Sequence, residues 1–130
     1  MEPSEGNPTA EPASPADVLI VEDDMIIALD LEETILQLGV KTSRTAASVA
    51  KALELIAQRA PDFALLDIGL RDGTSLPVAD RLAALDVPFV FLSGYGARAA
   101  PLPRFADRPK IDKPFSRAAL AEALRNWRAR

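Results

Sequence analysis

Two patterns of apolar residues alternate along the chain from Asp17 onward. Short runs rich in apolar residues are typical of buried strands, and they occupy residues 18–21, 40–45, 63–66, 89–92 and a brief stretch at Ile111. Apolar residues at helical spacing cover residues 26–38, 48–59, 76–85 and 116–127. The run at 40–45 is the most polar, which favours a strand at the edge of a sheet. The pattern therefore predicts strands and helices in alternation.

Residues 94–109 weaken this pattern before the last predicted strand. They contain three prolines and two glycines, which make a poor helix. We therefore expect five βα units of which the fourth helix is short or irregular. Short parallel strands joined by helices predict an α/β fold of the flavodoxin-like type. That fold is a doubly wound parallel sheet in the order 2-1-3-4-5, within a three-layer α/β/α sandwich.

The first 16 residues differ in composition from the remainder of the chain. They contain four prolines, three glutamates and no basic side chain, and Met1 is the only bulky apolar residue. Such a segment cannot bury enough apolar surface to fold. We therefore expect a disordered tail at 1–16 and a single domain at 17–130. The tail also lacks the basic and apolar regions of a signal peptide.

The composition excludes several classes of function. The 130 residues include no cysteine and no histidine, which rules out disulfide scaffolds, thiolate sites and histidine-based acid–base chemistry. No apolar run approaches the length of a membrane span. Residues 98–130 carry nine basic and three acidic side chains, but the chain as a whole is acidic, with a net charge of −4, which argues against nucleic-acid binding. We expect a soluble cytoplasmic protein with neither a nucleic-acid nor a membrane partner.

Charged and polar residues follow four of the predicted strands. Glu22 and Asp23 follow the first strand, Asp67 ends the third, Ser93 the fourth and Lys113 the fifth. In doubly wound sheets, ligands bind outside the carboxyl ends of the strands, so these groups should converge. Three adjacent carboxylates repel one another unless a cation lies among them, and oxygen ligands without His or Cys favour Mg²⁺. The set predicts a phosphoryl-transfer site with a carboxylate as nucleophile.

Each of these residues alone has a simpler interpretation. An acidic residue after a strand often caps the next helix, and we expect that role for Asp24. Ser93 alone would be an ordinary turn serine, and Lys113 alone a surface lysine beside a proline. The prediction of a site depends on four strands bringing compatible groups to the same edge.

The sequence resembles the receiver domain of two-component response regulators. The matching segments lie within 17–130 and are VLIVEDD at 18–24, PDFALLD at 61–67, FLS at 91–93 and DKPF at 112–115. The resemblance implies that Asp67 is the phosphoacceptor. It also implies that Mg²⁺ binds to Asp23, Asp67 and the backbone carbonyl of Gly69, with Glu22 in the outer acidic shell.

Further roles follow from the same resemblance. Lys113, Ser93 and the backbone N–H of Gly94 would contact the phosphoryl group, and the Lys113–Pro114 peptide bond would be cis. The segment FLSGYG at 91–96 is similar to the Phe-Ala-Thr-Gly-aromatic-Gly subgroup of receivers, which are mostly single-domain and alphaproteobacterial. Members of that subgroup often pair with kinases of the HWE/HisKA2 type.

Three positions depart from the usual pattern of the family. Lys110 stands where an aromatic switch residue is common, so we expect switching through the order of residues 94–108 instead. Gly69 has no side chain to orient a hydrolytic water, whereas Tyr95 is bulky enough to shield a phosphoryl group. Both would alter the lifetime of the phosphorylated state.

The leading hypothesis is a stand-alone receiver that takes a phosphoryl group from a sensor histidine kinase or a histidine phosphotransfer protein. It would signal by phosphorylation-dependent protein binding or act as a phosphate sink, and it would not be an enzyme beyond its own phosphorylation and dephosphorylation. One alternative is a constitutive interaction module with a vestigial acidic pocket. Another is a hydrolase of the haloacid-dehalogenase type, but that needs an Asp-x-Asp arrangement after the first strand, which Glu22-Asp23-Asp24 does not supply.

Overall fold

A computed structural model describes residues 14–70, 73–93, 105 and 108–127 of the chain. In chain order, the elements are β1 (Asp17–Val21), α1 (Met25–Gln37), β2 (Thr42–Ala46), α2 (Val49–Gln58), β3 (Phe63–Asp67), β4 (Gly69–Leu70), β5 (Gly73–Thr74), α3 (Leu76–Ala84), β6 (Phe89–Ser93), β7 (Lys110–Asp112) and α4 (Arg117–Arg125). Five strands form a parallel sheet in the order β2-β1-β3-β6-β7. This is the predicted order 2-1-3-4-5, and the polar strand β2 lies at an edge as expected.

The two faces of the sheet are covered by different helices. Successive side chains of a strand point to opposite faces, so Leu19 and Val21 of β1 pack on the side of α2 and α3, whereas Val18 and Ile20 pack on the side of α1 and α4. β3 and β6 divide their residues in the same way. The three central strands are buried at every position, which explains why their sequences are continuous apolar runs.

Side-chain caps begin three of the four helices in the described part of the chain. The Asp24 carboxylate accepts hydrogen bonds from the Ile26 and Ile27 N–H groups, which confirms its expected role at the start of α1. Ser48 and Ser116 cap α2 and α4 through the third N–H of each helix. Gly39, at φ 113°, ends the turn after α1.

The structure moves several predicted boundaries and adds one element. β2 begins at Thr42 rather than at residue 40, since residues 38–41 form the turn that leaves α1. A two-stranded antiparallel hairpin, β4–β5, lies between β3 and α3 and was not predicted, because its strands have only two residues each. The predicted irregular fourth helix lies within 94–108, of which only residues 105 and 108 are described.

The amino end of the sheet is held by an ion-pair cluster around Asp17. The Asp17 carboxylate lies 2.7 Å from Nη2 of Arg44 and 3.3 Å from Nε of Arg59. It also accepts a hydrogen bond from the Thr42 hydroxyl at 3.1 Å. Arg44 donates further to the carbonyls of Leu55 and Arg59, so the cluster ties β1 and β2 to the end of α2.

The chain segment before β1 joins the sheet at Ala16, whose carbonyl accepts hydrogen bonds from the Lys41 and Thr42 N–H groups. Residues 1–13 lie outside the described residues, so the disordered tail remains a prediction. Within the described ranges, every helix is too short or too polar to cross a membrane.

Candidate functional site

The carboxyl end of the sheet brings three predicted acidic residues together. Val21 lies beside Leu66 in the parallel register, so the residues that follow them, Glu22 and Asp67, are neighbours. One carboxylate oxygen from each of Glu22, Asp23 and Asp67 lies within 4.8 Å of the other two. Glu22 and Asp67 are buried, and Asp23 is half-buried.

Lys113 supplies the positive charge at this cluster. Its Nζ lies 2.6 Å from Oε1 of Glu22 and 3.2 Å from Oδ2 of Asp67. The Lys113 backbone N–H donates to the carbonyl of Ser93 at 2.8 Å, which fixes the chain just after β7. The Lys113–Pro114 peptide bond is cis, as the resemblance implies. Counted among the described residues, three carboxylates and one ammonium leave a formal excess of two negative charges.

The contacts within the acidic cluster shift the pKa of Glu22 and of Lys113. Burial raises the pKa of the Glu22 carboxyl, and the hydrogen bonds from Lys113 and from the Asp24 N–H only partly oppose that effect. Burial alone would lower the pKa of the Lys113 ammonium, but its hydrogen bond to Glu22 and the charge of Asp67 outweigh burial, and the pKa is raised. Lys113 is therefore a cation at neutral pH.

The β4–β5 hairpin determines the direction of the Gly69 backbone carbonyl. Ser75 donates its N–H to the Ile68 carbonyl at 3.0 Å, which makes these two residues a hydrogen-bonded pair. Hydrogen-bonded and non-bonded pairs alternate in an antiparallel ladder, so the next pair, Gly69 and Thr74, is non-bonded. The Gly69 carbonyl is thus directed away from β5.

Ser75 makes a buried contact that the sequence did not predict. A serine before Leu-Pro looks like a helix cap, and it does occupy the N-cap position of α3. Its hydroxyl makes no capping bond and lies 3.4 Å from the Ile68 carbonyl instead. The side chain is fully buried beneath the segment that follows Asp67.

Among the remaining predicted site residues, the structure describes Ser93 and Lys110. Ser93 is buried at the end of β6, beside Asp112 of β7. Lys110 is exposed on the edge strand β7, beside Phe91 of β6. Gly94 and Tyr95 lie outside the described residues, as does most of the proposed switching segment 94–108.

The donor set fits a hard divalent cation. The carboxylates of Glu22, Asp23 and Asp67 offer only oxygen ligands, and the described residues of the cluster carry an excess of negative charge. Mg²⁺ prefers such ligands and is usually held by one or two carboxylates with several waters. The chemistry of the residues present is therefore compatible with the predicted ion.

An apolar patch beside the site was not anticipated. Met25, Ile26 and Leu29 of α1 are 61%, 80% and 60% exposed. They follow Asp23 and Asp24 directly and share one face of the helix, because residues three and four apart are neighbours. Leu31 and Ile35, further along α1, make its contact with the core. Large exposed apolar side chains in a cluster mark interaction surfaces.

Comparison with known proteins places these features in a family. Residues 18–125 match the model of the response regulator receiver domain. The chain is 32% identical over 115 residues to the phyllosphere-induced regulator PhyR of Methylorubrum extorquens, covering 83% of this chain and 42% of PhyR. It is 33% identical over 92 residues to the photosynthetic apparatus regulatory protein RegA of Rhodobacter capsulatus, covering 69% of this chain and 50% of RegA. The chain spans about half the length of these curated relatives.

Solved structures agree with the sequence comparison. The solution structure of SdrG from Sphingomonas melonis Fr1 is 42% identical, with a TM-score of 0.74, covering 84% of this chain and 92% of SdrG. The BeF3-activated conformation of SdrG is 41% identical, with a TM-score of 0.72, covering 86% of this chain and 95% of that one. The family model, the strand order and these structural neighbours lead to one conclusion: the chain belongs to the response regulator receiver domain family.

Proposed function

We propose that the protein is a phosphorylation-controlled signalling domain in which Asp67 accepts a phosphoryl group. The observation that carries this proposal is the position of Asp67, buried at the end of β3 with its Oδ2 3.2 Å from the Lys113 ammonium. Receiver domains are signalling proteins rather than classical enzymes, and they accept phosphoryl groups from histidine kinases. Here the donor would be the phosphohistidine of a sensor kinase or of a histidine phosphotransfer protein.

The reaction needs an acceptor oxygen and compensation of charge. A carboxylate oxygen of Asp67 forms a bond to phosphorus as the phosphorus–nitrogen bond of the donor breaks. The imidazole leaves as the neutral base, with the proton already on its other nitrogen, and Asp67 becomes an acyl phosphate. The Lys113 ammonium, the Ser93 hydroxyl and the Gly94 N–H would hydrogen-bond the phosphoryl oxygens, which are strong acceptors.

Mg²⁺ is the cofactor that we propose for this site. Asp23, Asp67 and the Gly69 carbonyl would hold the ion, with Glu22 outside the ligand set. When bound, the ion would offset the negative charge that opposes the approach of a phosphoryl group to Asp67. The excess of negative charge at the cluster supports this assignment.

The apolar patch of α1 supports a protein as the phosphodonor. Met25, Ile26 and Leu29 adjoin the acidic cluster along the chain, so a donor that reaches Asp67 can cover them at the same time. Asp24 and Asp30 lie exposed beside the patch, which favours a partner with an apolar helix face and basic residues at its rim. A small-molecule donor would leave this surface unused.

The proposal also covers the donor kinase, the readout of phosphorylation and the location of the protein. The FLSGYG segment at 91–96 supports a donor kinase of the HWE/HisKA2 type and a single-domain protein of the alphaproteobacterial subgroup. A protein partner would bind the phosphorylated domain, or the domain would act as a phosphate sink that accepts phosphoryl groups from a relay without passing on a signal. A cytoplasmic location is part of the proposal, since the sequence has no cysteine.

Phosphorylation by acetyl phosphate tests the proposal. Incubation with acetyl phosphate and Mg²⁺ should add the mass of one phosphoryl group to the intact wild-type protein. Asp67→Asn should add none, whereas Asp86→Asn, the same chemical change at an exposed turn after α3, should be labelled like the wild type. Equal labelling of Asp67→Asn and wild type would refute the assignment.

A further inference from the structure

A groove of about 120 Å³ lies between the end of α1 and one side of α4. It is lined by Ser14, Leu38, Ala121, Leu124 and Arg125. Ser14 is the first residue that the structure describes, and its Oγ lies 3.5 Å from the Leu38 carbonyl oxygen. A Cβ at Gly39 would lie 2.8 Å from the same Oγ, so glycine at that position permits the close approach. The chain before Ser14 therefore joins the domain at this groove.

Two arginines give the groove a positive rim. Arg117, Ala121 and Arg125 are four residues apart and share one side of α4. Nη1 of Arg117 donates a hydrogen bond to Oε1 of Gln37 at 2.8 Å, which places that guanidinium at the end of α1. Both arginines are exposed, and neither pairs with a carboxylate among the residues that the structure describes.

The arginines at the amino end of the sheet are not available in the same way. Arg44 and Arg59 both pair with the Asp17 carboxylate, at 2.7 and 3.3 Å. A negatively charged segment that leaves the domain at Ser14 is therefore attracted mainly to the side of α4.

Residues 1–13 match the groove in charge and in reach. They contain three glutamates, Glu2, Glu5 and Glu11, and no basic side chain. Their three prolines favour an extended polyproline II chain, in which positions three apart share a face, as these glutamates would. Thirteen residues in that form span about 40 Å, against about 13 Å for the nine residues of α4.

We propose that the groove binds the chain's own acidic segment, residues 1–13, with its glutamates paired to Arg117 and Arg125. Exposed ion pairs are individually weak, but attachment at Ser14 gives the segment a high effective concentration at the groove. An acidic segment of another protein would have to displace it, so the segment acts as a tethered competitor for this surface. The inference stands independently of phosphorylation at Asp67.

Paramagnetic relaxation enhancement in the full chain tests the contact. The sequence has no cysteine, so Thr9→Cys provides a single position for a nitroxide label. Broadening of backbone amide signals should be concentrated at Leu38 and Ala121 and should be weaker around Arg59. A segment that is merely tethered would instead broaden the signals on both sides of Ser14 alike.

The charge of the segment and the charge of the groove are then changed separately. Replacing all three glutamates of the segment by glutamine should lower the enhancement at Ala121 about threefold, because ion pairs hold the segment in place. Arg125→Glu should lower it to a similar extent, whereas Arg125→Lys should retain it. Lys51→Glu is the matched control, because it reverses the charge of an exposed side chain of α2, on the other face of the sheet.

A free peptide with the sequence of residues 1–13 tests the competition. It is titrated into the full chain, and binding is followed by amide chemical shifts. The peptide should bind the all-glutamine variant about threefold more tightly than the wild type, in which the groove is already occupied.

Three results would overturn the inference: equal enhancement in the wild type and the all-glutamine variant, equal effects of Arg125→Glu and Lys51→Glu, or equal affinity of the free peptide for both proteins. Enhancement that rises with protein concentration would also overturn it, since the segment would then bind a second copy of the chain. If Arg125→Glu fails to fold, the all-glutamine variant still decides, because it leaves the sequence from Ser14 onward unchanged.

Discussion

The two ends of the parallel sheet use the same residue types in opposite ways. At the amino end, the carboxylate of Asp17 meets two guanidinium groups, from Arg44 and Arg59, and a hydroxyl. At the carboxyl end, three carboxylates lie together, and among the described residues the Lys113 ammonium contacts two of them, Glu22 and Asp67. Counted over the part of the chain that the structure describes, the amino end is balanced by its own residues, whereas the carboxyl end has an excess of negative charge.

This difference separates a structural cluster from a binding site. A buried charge is tolerated when it is paired and hydrogen-bonded, and the Asp17 cluster meets that condition within the protein. Carboxylates that repel one another destabilise the fold unless a ligand offsets their charge. On the proposed function, the carboxyl end would give up stability for the capacity to bind a cation and a phosphoryl group, and stability measurements test that cost.

The largest expected effect is at the amino end. Asp17→Asn leaves two guanidinium groups without their carboxylate, and since Arg59 is largely exposed we expect a loss of about 3 kcal/mol in the free energy of unfolding. Urea denaturation followed by circular dichroism measures it. The control Asp86→Asn, at an exposed turn, should stay within about 0.5 kcal/mol of wild type. A loss below that limit in Asp17→Asn would mean that the amino end is not a structural cluster.

Magnesium should stabilise the protein through the carboxyl end alone. At a concentration about 100 times its dissociation constant, a ligand of the native state adds about 2.7 kcal/mol to the free energy of unfolding. We expect this gain in the wild type and in Asp17→Asn, but not in Asp23→Asn, when urea denaturation is repeated over a series of Mg²⁺ concentrations. A full gain in Asp23→Asn would exclude Asp23 as a ligand.

Without metal, the same substitution should cost less at the carboxyl end than at the amino end. Asp23→Asn removes one of three neighbouring carboxylates, so relief of repulsion offsets the loss of its contacts, and we expect a smaller change in the free energy of unfolding than in Asp17→Asn. Denaturation in the presence of a chelator measures both changes. Destabilisation of Asp23→Asn by as much as Asp17→Asn would show that the two clusters do not differ in the proposed way.

The smallest effect on stability is expected for the apolar patch of α1. Ile26→Ser should change the free energy of unfolding by no more than about 0.5 kcal/mol, because Ile26 is 80% exposed. It should slow phosphotransfer from a cognate kinase and leave labelling by acetyl phosphate unchanged. Leu85→Ser, at an exposed position after α3, is the matched control and should alter neither rate. Equal rates of phosphotransfer from the kinase to Ile26→Ser and to wild type would show that the patch is not part of the donor interface.

The sequence predicted the features that follow from continuous patterns. The apolar runs of β1, β3 and β6 predicted central strands, because these strands are buried on both faces and the pattern leaves few alternatives. The strand order then brought Glu22, Asp23 and Asp67 to one edge, where the structure places them. Local signals were also sufficient for the cap at Asp24.

Other features depend on tertiary contacts that no local pattern encodes. The Asp17 cluster joins residues that are 27 and 42 positions apart, and each of them alone looks like a surface charge. Apolar spacing in α1 could not separate the core residues Leu31 and Ile35 from the exposed Ile26 and Leu29, because the exposed pair extends the same pattern. The hydrogen bonds of Glu22 depend on Lys113, 91 residues away.

Locating the acyl phosphate within the chain tests the central claim most directly. The protein is phosphorylated with acetyl phosphate and Mg²⁺, reduced with borohydride so that an aspartyl phosphate becomes homoserine, and mapped by tandem mass spectrometry of its peptides. We expect homoserine at position 67 and at no other aspartate. Homoserine at position 23 or 17 with Asp67 unmodified would contradict the assignment of the carboxyl end of β3 as the phosphoacceptor.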